Sequence, residues 1–135
     1  MGEKVRVETL GNRSVVLMDS ISTVSQEDGG QIVVSGSHGG RSSGEFAVRH
    51  PLAACFLNDA GVGKDDAGIA ALGMLDALAR PCAAYDSNSA RIGDAQDAWD
   101  NGVISFVNQA AASLGFAAGE PVSSAVRRVF ARAGQ

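Results

Sequence analysis

The sequence predicts a three-layer α/β fold: a mostly parallel sheet of four to five strands with helices on both faces. Short apolar segments alternate with longer segments whose apolar residues recur every three or four positions, as strands and helices do in α/β domains. Most of the short segments are uniformly apolar, which indicates strands covered on both faces, as in parallel sheets. At 135 residues, the chain is expected to form one domain over residues 1–135.

Five segments are predicted strands. VRVETL at 5–10 alternates apolar and polar residues, as an edge strand does. The other four are short apolar runs, each followed by polar or glycine residues: SVVLM (14–18), IVVS (32–35), ACFLN (54–58) and CAAY (82–85).

Four helices are predicted between and after these strands. They cover residues 43–49, 65–79, 95–114 and 121–133. His50-Pro51 ends the first, because a residue before proline disfavours the helical conformation. Pro121 begins the last, where its missing N–H costs nothing. Gly102 falls inside the third and either interrupts it or marks its true start.

Composition narrows the class of protein. The net charge is -4, and the 11 Lys and Arg residues are scattered, which argues against binding nucleic acid. No apolar run approaches the ~20 residues of a membrane span, and the start MGEKVRVE lacks the apolar block of a secretory signal. Cys55 and Cys82 lie in apolar segments and are expected to be buried free thiols. We therefore expect a cytoplasmic protein.

Polar and glycine residues follow four of the predicted strands. In a parallel sheet the carboxyl ends of the strands share one edge, where ligands bind. Turns favour the same residue types for structural reasons, but four such clusters at equivalent positions favour a site. The clusters are Asp19-Ser20, Ser37-His38-Gly39-Gly40, Asn58-Asp59-Ala60-Gly61 and Asp86-Ser87-Asn88-Ser89.

The segment GSHGG at 36–40 is the centre of the predicted site. Gly36 is expected to allow a tight exit from the strand, and Gly39 and Gly40 to adopt positive φ and bring backbone N–H groups close to an anion. His38 would act there as a general acid or base. The structural alternative is a ring that caps a neighbouring carbonyl. His50, before a proline, is expected to be structural.

Two further loops offer anion contacts. NDAGVGKDDAG at 58–68 is not a P-loop, because Gly61 and Lys64 are too close in sequence and no hydroxyl residue follows the lysine. Arg91, in DSNSARIGD at 86–94, could bind a carboxylate or phosphate through two hydrogen bonds. Asp94 could contact the ligand or cap the following helix.

These residues favour acid–base chemistry on a small carboxylate- or phosphate-bearing molecule, by a lyase, isomerase or hydrolase. The predicted catalytic residues are His38, Asp59 and Asp86. The predicted substrate contacts are Ser37, Gly39, Gly40, Asn58, Gly61, Lys64, Ser87, Ser89, Arg91 and Asp94. No metal or cofactor is expected, since the chain lacks paired histidines. The alternative is a non-catalytic regulatory or accessory subunit that binds a small anion, and either class is compatible with a homo-oligomer or a partner subunit.

Overall fold

The computed structural model of the protein describes residues 4–133 and shows a mixed α/β fold. Within these residues, six strands form one mostly parallel sheet, whereas the sequence predicted four to five. The strands are β1 (Lys4–Leu10), β2 (Arg13–Met18), β3 (Ile32–His38), β4 (Ala54–Asn58), β5 (Cys82–Tyr85) and β6 (Ile104–Val107).

The order of the strands in the sheet follows their order in the chain. Strands β2, β3, β4 and β5 are parallel. At one edge β1 forms an antiparallel hairpin with β2, and at the other β6 is antiparallel to β5. The parallel centre therefore directs the carboxyl ends of four consecutive strands to one edge, which we call the carboxyl edge.

In the described part of the chain, five α-helices accompany the sheet: α1 (Arg41–Ala47), α2 (Ala70–Asp76), α3 (Ala95–Asn101), α4 (Gln109–Leu114) and α5 (Val122–Ala133). The last helix lies where the sequence predicted it. The segment predicted as a helix at 65–79 begins instead with a 3-10 helix, Lys64–Ile69, in which Asp65 and Asp66 have left-handed φ values of 57° and 59°. The regular helix there is only seven residues long.

The helix predicted at 95–114 is wrong at 104–107, which form β6, and the alternative that Gly102 interrupts the helix is confirmed. Helix α3 stops before Gly102, whose extended backbone (φ -62°, ψ 141°) leaves the helix and starts the run into β6. A side chain at Gly102 would lie 2.5 Å from the carbonyl oxygen of Ala98. Asn108 then starts α4, because its side chain accepts a hydrogen bond from the N–H of Ala111 at 2.9 Å.

Buried side chains form two clusters, because successive residues of a strand point to opposite faces of the sheet. Val34 and Phe56 pack with Trp99 of α3 and Phe130 of α5. Val33 and Leu57, their chain neighbours, pack with residues of α1 and α2, including Ala47, Leu72 and Leu75. Both clusters fix the strands that carry the carboxyl edge. None of the helices within residues 4–133 has the length and hydrophobicity needed to cross a membrane.

Candidate functional site

The four polar clusters predicted from the sequence lie at or directly after the carboxyl ends of the four parallel strands. His38, at the end of β3, is paired in the sheet with Asn58 at the end of β4. Asn58 is paired in turn with Tyr85 at the end of β5. The parallel register therefore brings these loops to one side of the sheet, but it does not decide which side chains meet there.

A cavity of about 160 Å³ lies beside His38. We call it the His38 pocket. It is formed by the segment after β2, the end of β3 and the first two turns of α1, and its other lining residues are five serines, Ile21 and Phe46. The serines are Ser20, Ser22, Ser37, Ser42 and Ser43. Among residues 4–133, no acidic or basic side chain other than His38 lines this pocket.

Strand β3 continues through Gly36 to His38, so the predicted tight exit at Gly36 is wrong. The absence of a side chain at Gly36 instead allows the backbone of Gly93 and Asp94 to approach. A Cβ at Gly36 would lie 2.5 Å from the nitrogen of Asp94, and the N–H of Gly93 donates to the carbonyl of Gly36 at 2.7 Å. This contact fixes the loop after β5 against β3.

The prediction of positive φ at Gly39 and Gly40 is also wrong. Neither glycine is among the positive-φ residues, and Gly40 has φ -80° and ψ -177°. Both glycines instead allow neighbouring atoms to approach the backbone more closely than a side chain would permit. A Cβ at Gly39 would lie 2.7 Å from the carbonyl oxygen of Gly68, and one at Gly40 would lie 2.8 Å from Nδ1 of His38.

The imidazole of His38 contacts residues that follow it closely in the chain. The N–H of Gly40 donates to Nδ1 at 3.0 Å, and the Ser43 hydroxyl lies 3.5 Å from the same nitrogen. An N–H group can only donate, so Nδ1 must be unprotonated and the proton of the neutral ring is on Nε2. The ring therefore accepts a hydrogen bond from an N–H group. The structural alternative predicted from the sequence was a ring that caps a carbonyl. Because the residue is exposed, Nε2 remains available as a donor.

Hydrogen bonds below the pocket hold the end of β3 in place. The buried Tyr85 hydroxyl donates to the carbonyl of Ser35 at 2.6 Å, and burial raises the pKa of this phenol. The Ser35 hydroxyl accepts from the N–H of Ser37 at 3.0 Å. The Ser37 hydroxyl accepts from the N–H of Ile21 at 2.9 Å, which joins β3 to the segment after β2. The phenol therefore stays protonated, and its hydrogen bond to the carbonyl of Ser35 stabilises the end of β3.

Asp59 is buried, and both oxygens of its carboxylate accept hydrogen bonds from neighbouring segments. Oδ1 accepts from the N–H groups of Gly61 at 2.8 Å and Ser87 at 3.0 Å. Oδ2 accepts from the hydroxyl of Ser105 in β6 at 2.7 Å. Asp59 therefore joins the ends of β4 and β5 to β6. Among residues 4–133 no carboxylate forms an ion pair with His38.

Asn58, Asp86 and Ser89 also hold turns. The buried Asn58 side chain donates to the carbonyl of Ala90 at 3.2 Å and accepts from the N–H of Ala60 at 2.8 Å. Asp86 accepts from the N–H of Asn88 at 2.8 Å. The Ser89 hydroxyl donates to the carbonyl of Asp86 at 2.6 Å. These contacts order the carboxyl edge, and none of these three side chains lines the His38 pocket.

Arg91, Lys64 and Asp94 lie outside the His38 pocket as well. The Arg91 side chain is 79% exposed and lies 3.6 Å from Asp94. Asp94 caps α3 by accepting from the N–H of Asp97 at 3.0 Å. Lys64 is exposed at the start of the 3-10 helix. The structure thus places Ser37 with His38 and places the predicted cationic contacts elsewhere.

Sequence reasoning missed most of the pocket wall. Ser22, Ser42, Ser43 and Phe46 were not predicted site residues, and Ser105 lay inside a predicted helix. The available signal was the density of serines after two strand ends, in DSIS at 19–22 and RSS at 41–43. Across residues 4–133, no three His, Cys, Asp or Glu side chains converge closely enough to hold a metal ion.

Comparisons with protein-family models, with curated proteins and with solved structures found no match.

Proposed function

We propose that the protein is a small-molecule enzyme of the lyase, isomerase or hydrolase class. It acts on a small carboxylate- or phosphate-bearing substrate whose anionic group enters the His38 pocket at the carboxyl edge. His38 provides the acid–base chemistry through Nε2. The observation that carries this proposal is the 3.0 Å hydrogen bond from the N–H of Gly40 to Nδ1, which leaves the Nε2 proton for the substrate.

The choice of an anionic substrate is supported by the donors in the pocket. Its polar side chains are hydroxyls and one imidazole, and no carboxylate from the described part of the chain lines the pocket and competes for them. The Ser37 oxygen already accepts from the N–H of Ile21, so the Ser37 hydroxyl proton can be donated to a ligand. A volume of about 160 Å³ is below the usual range for drug-sized ligands, roughly 300–1,000 Å³. It suits one compact oxyanion group.

A neutral imidazole with its proton on Nε2 has a defined catalytic use. It donates a hydrogen bond to a substrate oxygen that gains negative charge in the transition state, and it can then transfer the proton. Asp59 and Asp86 were predicted as proton carriers; in this proposal they order the loops around the pocket. Arg91 and Lys64 are left outside it because neither lines the pocket.

A titration with small anions tests the proposal. Acetate and inorganic phosphate are added to ¹⁵N-labelled protein, and amide signals are followed by NMR. We expect shifts at Ser22, Ser37 and His38, weaker binding in His38→Ala, and unchanged binding in the control Arg91→Ala. Shifts confined to the loop at 86–94, or equal affinities in wild type and His38→Ala, would contradict the proposal.

The alternative is a non-catalytic subunit that binds the same kind of anion. It is favoured by one observation: among residues 4–133, His38 is the sole acidic or basic side chain in the pocket wall. No second group is therefore placed there to pass on a proton. His38→Gln separates the two, because glutamine keeps a donor but cannot exchange protons near neutral pH. A panel of small carboxylates and phosphate esters, followed by ¹H NMR, should show turnover by wild type alone if the protein is an enzyme. No turnover with retained anion affinity would favour the binding subunit.

The proposal also includes the arrangement of layers, the location of the protein in the cell and its assembly. A three-layer arrangement is supported by the two core clusters, one containing residues of α1 and α2 and the other residues of α3 and α5. A cytoplasmic location is supported by Cys55 and Cys82, which are both free and buried. Assembly into a homo-oligomer or with a partner subunit can be tested by light scattering.

A further inference from the structure

The segment at 60–66, between β4 and α2, has an unusual backbone. We call it the strained loop. Glycine adopts positive φ freely and aspartate tolerates it, so the strain is concentrated at Ala60 and above all at Val62, whose β-branched side chain makes a positive φ an outlier. Six of its seven residues have φ values between 53° and 74°: Ala60, Gly61, Val62, Gly63, Asp65 and Asp66.

Val62 lies at the centre of a tight turn. The N–H of Gly63 donates to the carbonyl of Gly61 at 2.7 Å, which closes a three-residue turn around Val62. With a φ of 67° at its centre, this is the rare and strained form of the γ-turn. A conformation of this kind persists only where the surrounding contacts impose it.

The contacts that impose it are hydrogen bonds to Asp59 and Val62. The N–H of Val62 donates to the carbonyl of Asp59 at 2.7 Å, and the carbonyl of Val62 accepts from the N–H of Gly68 at 2.6 Å. A Cβ at Gly68 would clash with the carbonyl oxygen of Asp59. The side chains of the loop are exposed, except that of the half-buried Val62. Backbone hydrogen bonds, and not burial in the core, therefore hold the loop in this form.

The strained loop is joined to the turn that holds His38. Ala67 and Gly68 follow the loop and lie against the next two residues of that turn. A Cβ at Gly39 would lie 2.7 Å from the carbonyl oxygen of Gly68, and one at Gly40 would lie 3.2 Å from that of Ala67. Gly40 is the residue whose N–H donates to the imidazole of His38. A movement of the segment at 67–68 would therefore reach the imidazole.

We propose that the strained loop is a conformational switch for the His38 pocket. In the form described above, which we call the locked form, it holds the segment at 67–68 against Gly39 and Gly40. In a second, relaxed form, Ala60 and Val62 have negative φ, and the turn at 39–40 loses this support. The inference rests on the proposed function, because an anion that needs the ordered imidazole binds the locked form and raises its population.

Two substitutions should shift this equilibrium in opposite directions. Val62→Gly removes the strain at the centre of the turn and should lower the population of the relaxed form. Gly63 has φ 74° and ψ -169°, a conformation that is almost restricted to glycine. A Cβ there would meet no atom of the described chain within 4 Å. Gly63→Ala therefore adds strain without a clash, and it should raise the population of the relaxed form by about tenfold.

The matched control is Gly30→Ala, before β3. Gly30 also has a positive φ, 78°, and open space around its Cβ position within the described chain. This control should destabilise the protein but leave the equilibrium of the strained loop as in wild type. An equal rise of the relaxed form in Gly30→Ala would mean general destabilisation and would overturn the proposal.

NMR relaxation dispersion of ¹⁵N-labelled protein measures such exchange on the microsecond-to-millisecond timescale. In Gly63→Ala, the amides at 67–68 and at 39–40 should exchange with one common rate, and the minor population should exceed that of wild type. In Val62→Gly it should be smaller than in wild type. Equal populations in the three proteins, or exchange confined to 60–66, would overturn the proposal.

The link to the pocket is measured separately, with acetate as the probe. Saturating acetate should suppress the exchange in Gly63→Ala, because a ligand that binds one form alone raises its population. If acetate binds at His38 and the exchange is unchanged, the loop does not control the pocket and the proposal is overturned. If acetate does not bind at His38 in wild type, the proposed function fails, and the dispersion experiment alone then decides whether the loop switches the turn.

Discussion

Gly39 and Gly40 are adjacent, but the same substitution to alanine should have different consequences at each. At Gly40 the new Cβ would lie 2.8 Å from Nδ1 and 3.1 Å from Cε1 of His38. The backbone at Gly40 (φ -80°, ψ -177°) is open to alanine, and the His38 side chain is exposed. The imidazole should therefore swing away. The third contact of the new Cβ, with the backbone carbonyl oxygen of Ala67 at 3.2 Å, requires a backbone shift of only a few tenths of an ångström.

The expected change in the free energy of unfolding for Gly40→Ala is small. Loss of the hydrogen bond from the N–H of Gly40 costs about 1 kcal/mol. Alanine gains about 0.4–1 kcal/mol by restricting the unfolded chain. The two effects nearly cancel, so urea unfolding should shift by less than about 1 kcal/mol, while affinity for acetate and phosphate falls as in His38→Ala.

Gly39→Ala is the contrasting case. Its Cβ would lie 2.7 Å from the carbonyl oxygen of Gly68, a backbone atom that cannot rotate away. Overpacking of this kind costs about 1–3 kcal/mol. Equal destabilisation by the two variants, or unchanged anion affinity in Gly40→Ala, would refute the role given to the Gly40–His38 contact.

Three other predictions concern stability and reactivity. Ala79 has a left-handed φ of 57°, so Ala79→Gly should stabilise the protein by about 0.5–1 kcal/mol in urea unfolding. Ala77 has an ordinary helical φ of -61°, so the control Ala77→Gly should destabilise the protein by a similar amount. Hydrogen bonds from Arg127 lower the pKa of Glu8. The ion pair therefore stabilises the fold fully at pH values above the usual carboxyl pKa of about 4.3, and this stabilisation is lost as the pH falls through the lowered pKa of Glu8. Glu8→Gln should therefore cost up to about 1 kcal/mol at pH 7 and nothing at pH 2; an equal cost at both would contradict this. The hydrogen bond with the cysteine on the adjacent strand, together with complete burial, raises the pKa of the Cys82 thiol well above normal, so a disulfide reagent should label it after unfolding and not before.

The parallel centre of the sheet could be predicted because its strands are short and uniformly apolar. Strand β4, at 54–58, was predicted with its observed bounds, since both of its faces are buried. Burial on both faces also explains why the carboxyl edge was located correctly from the polar residues that follow each strand.

Strand β6 could not be predicted because its pattern resembles that of its neighbouring helices. Val103 and Val107 are spaced as on a helix face, and Gly102 was the sole sign of a break. What decides the strand is tertiary: β6 pairs with β5, and Ser105 within it donates to Asp59 across the sheet. Neither contact is encoded in local spacing.

The composition of the site was only partly predictable for a related reason. His38 and Ser37 stand beside the cavity, as expected for residues at the end of a central strand. Asp59 was equally prominent in sequence, but its carboxylate accepts from Gly61, Ser87 and Ser105. A polar residue after a strand can face a ligand or order its own loop, and only side-chain direction distinguishes the two.

The most direct test of the central claim is an NMR measurement of the His38 imidazole nitrogens and of the Gly40 amide across a pH titration. We predict one tautomer with the proton on Nε2 in the neutral ring. We also predict a Gly40 amide that is protected from exchange and whose signal moves when the imidazole gains its second proton. A mixture of tautomers, with a Gly40 amide that exchanges freely and does not respond to that protonation, would contradict the account.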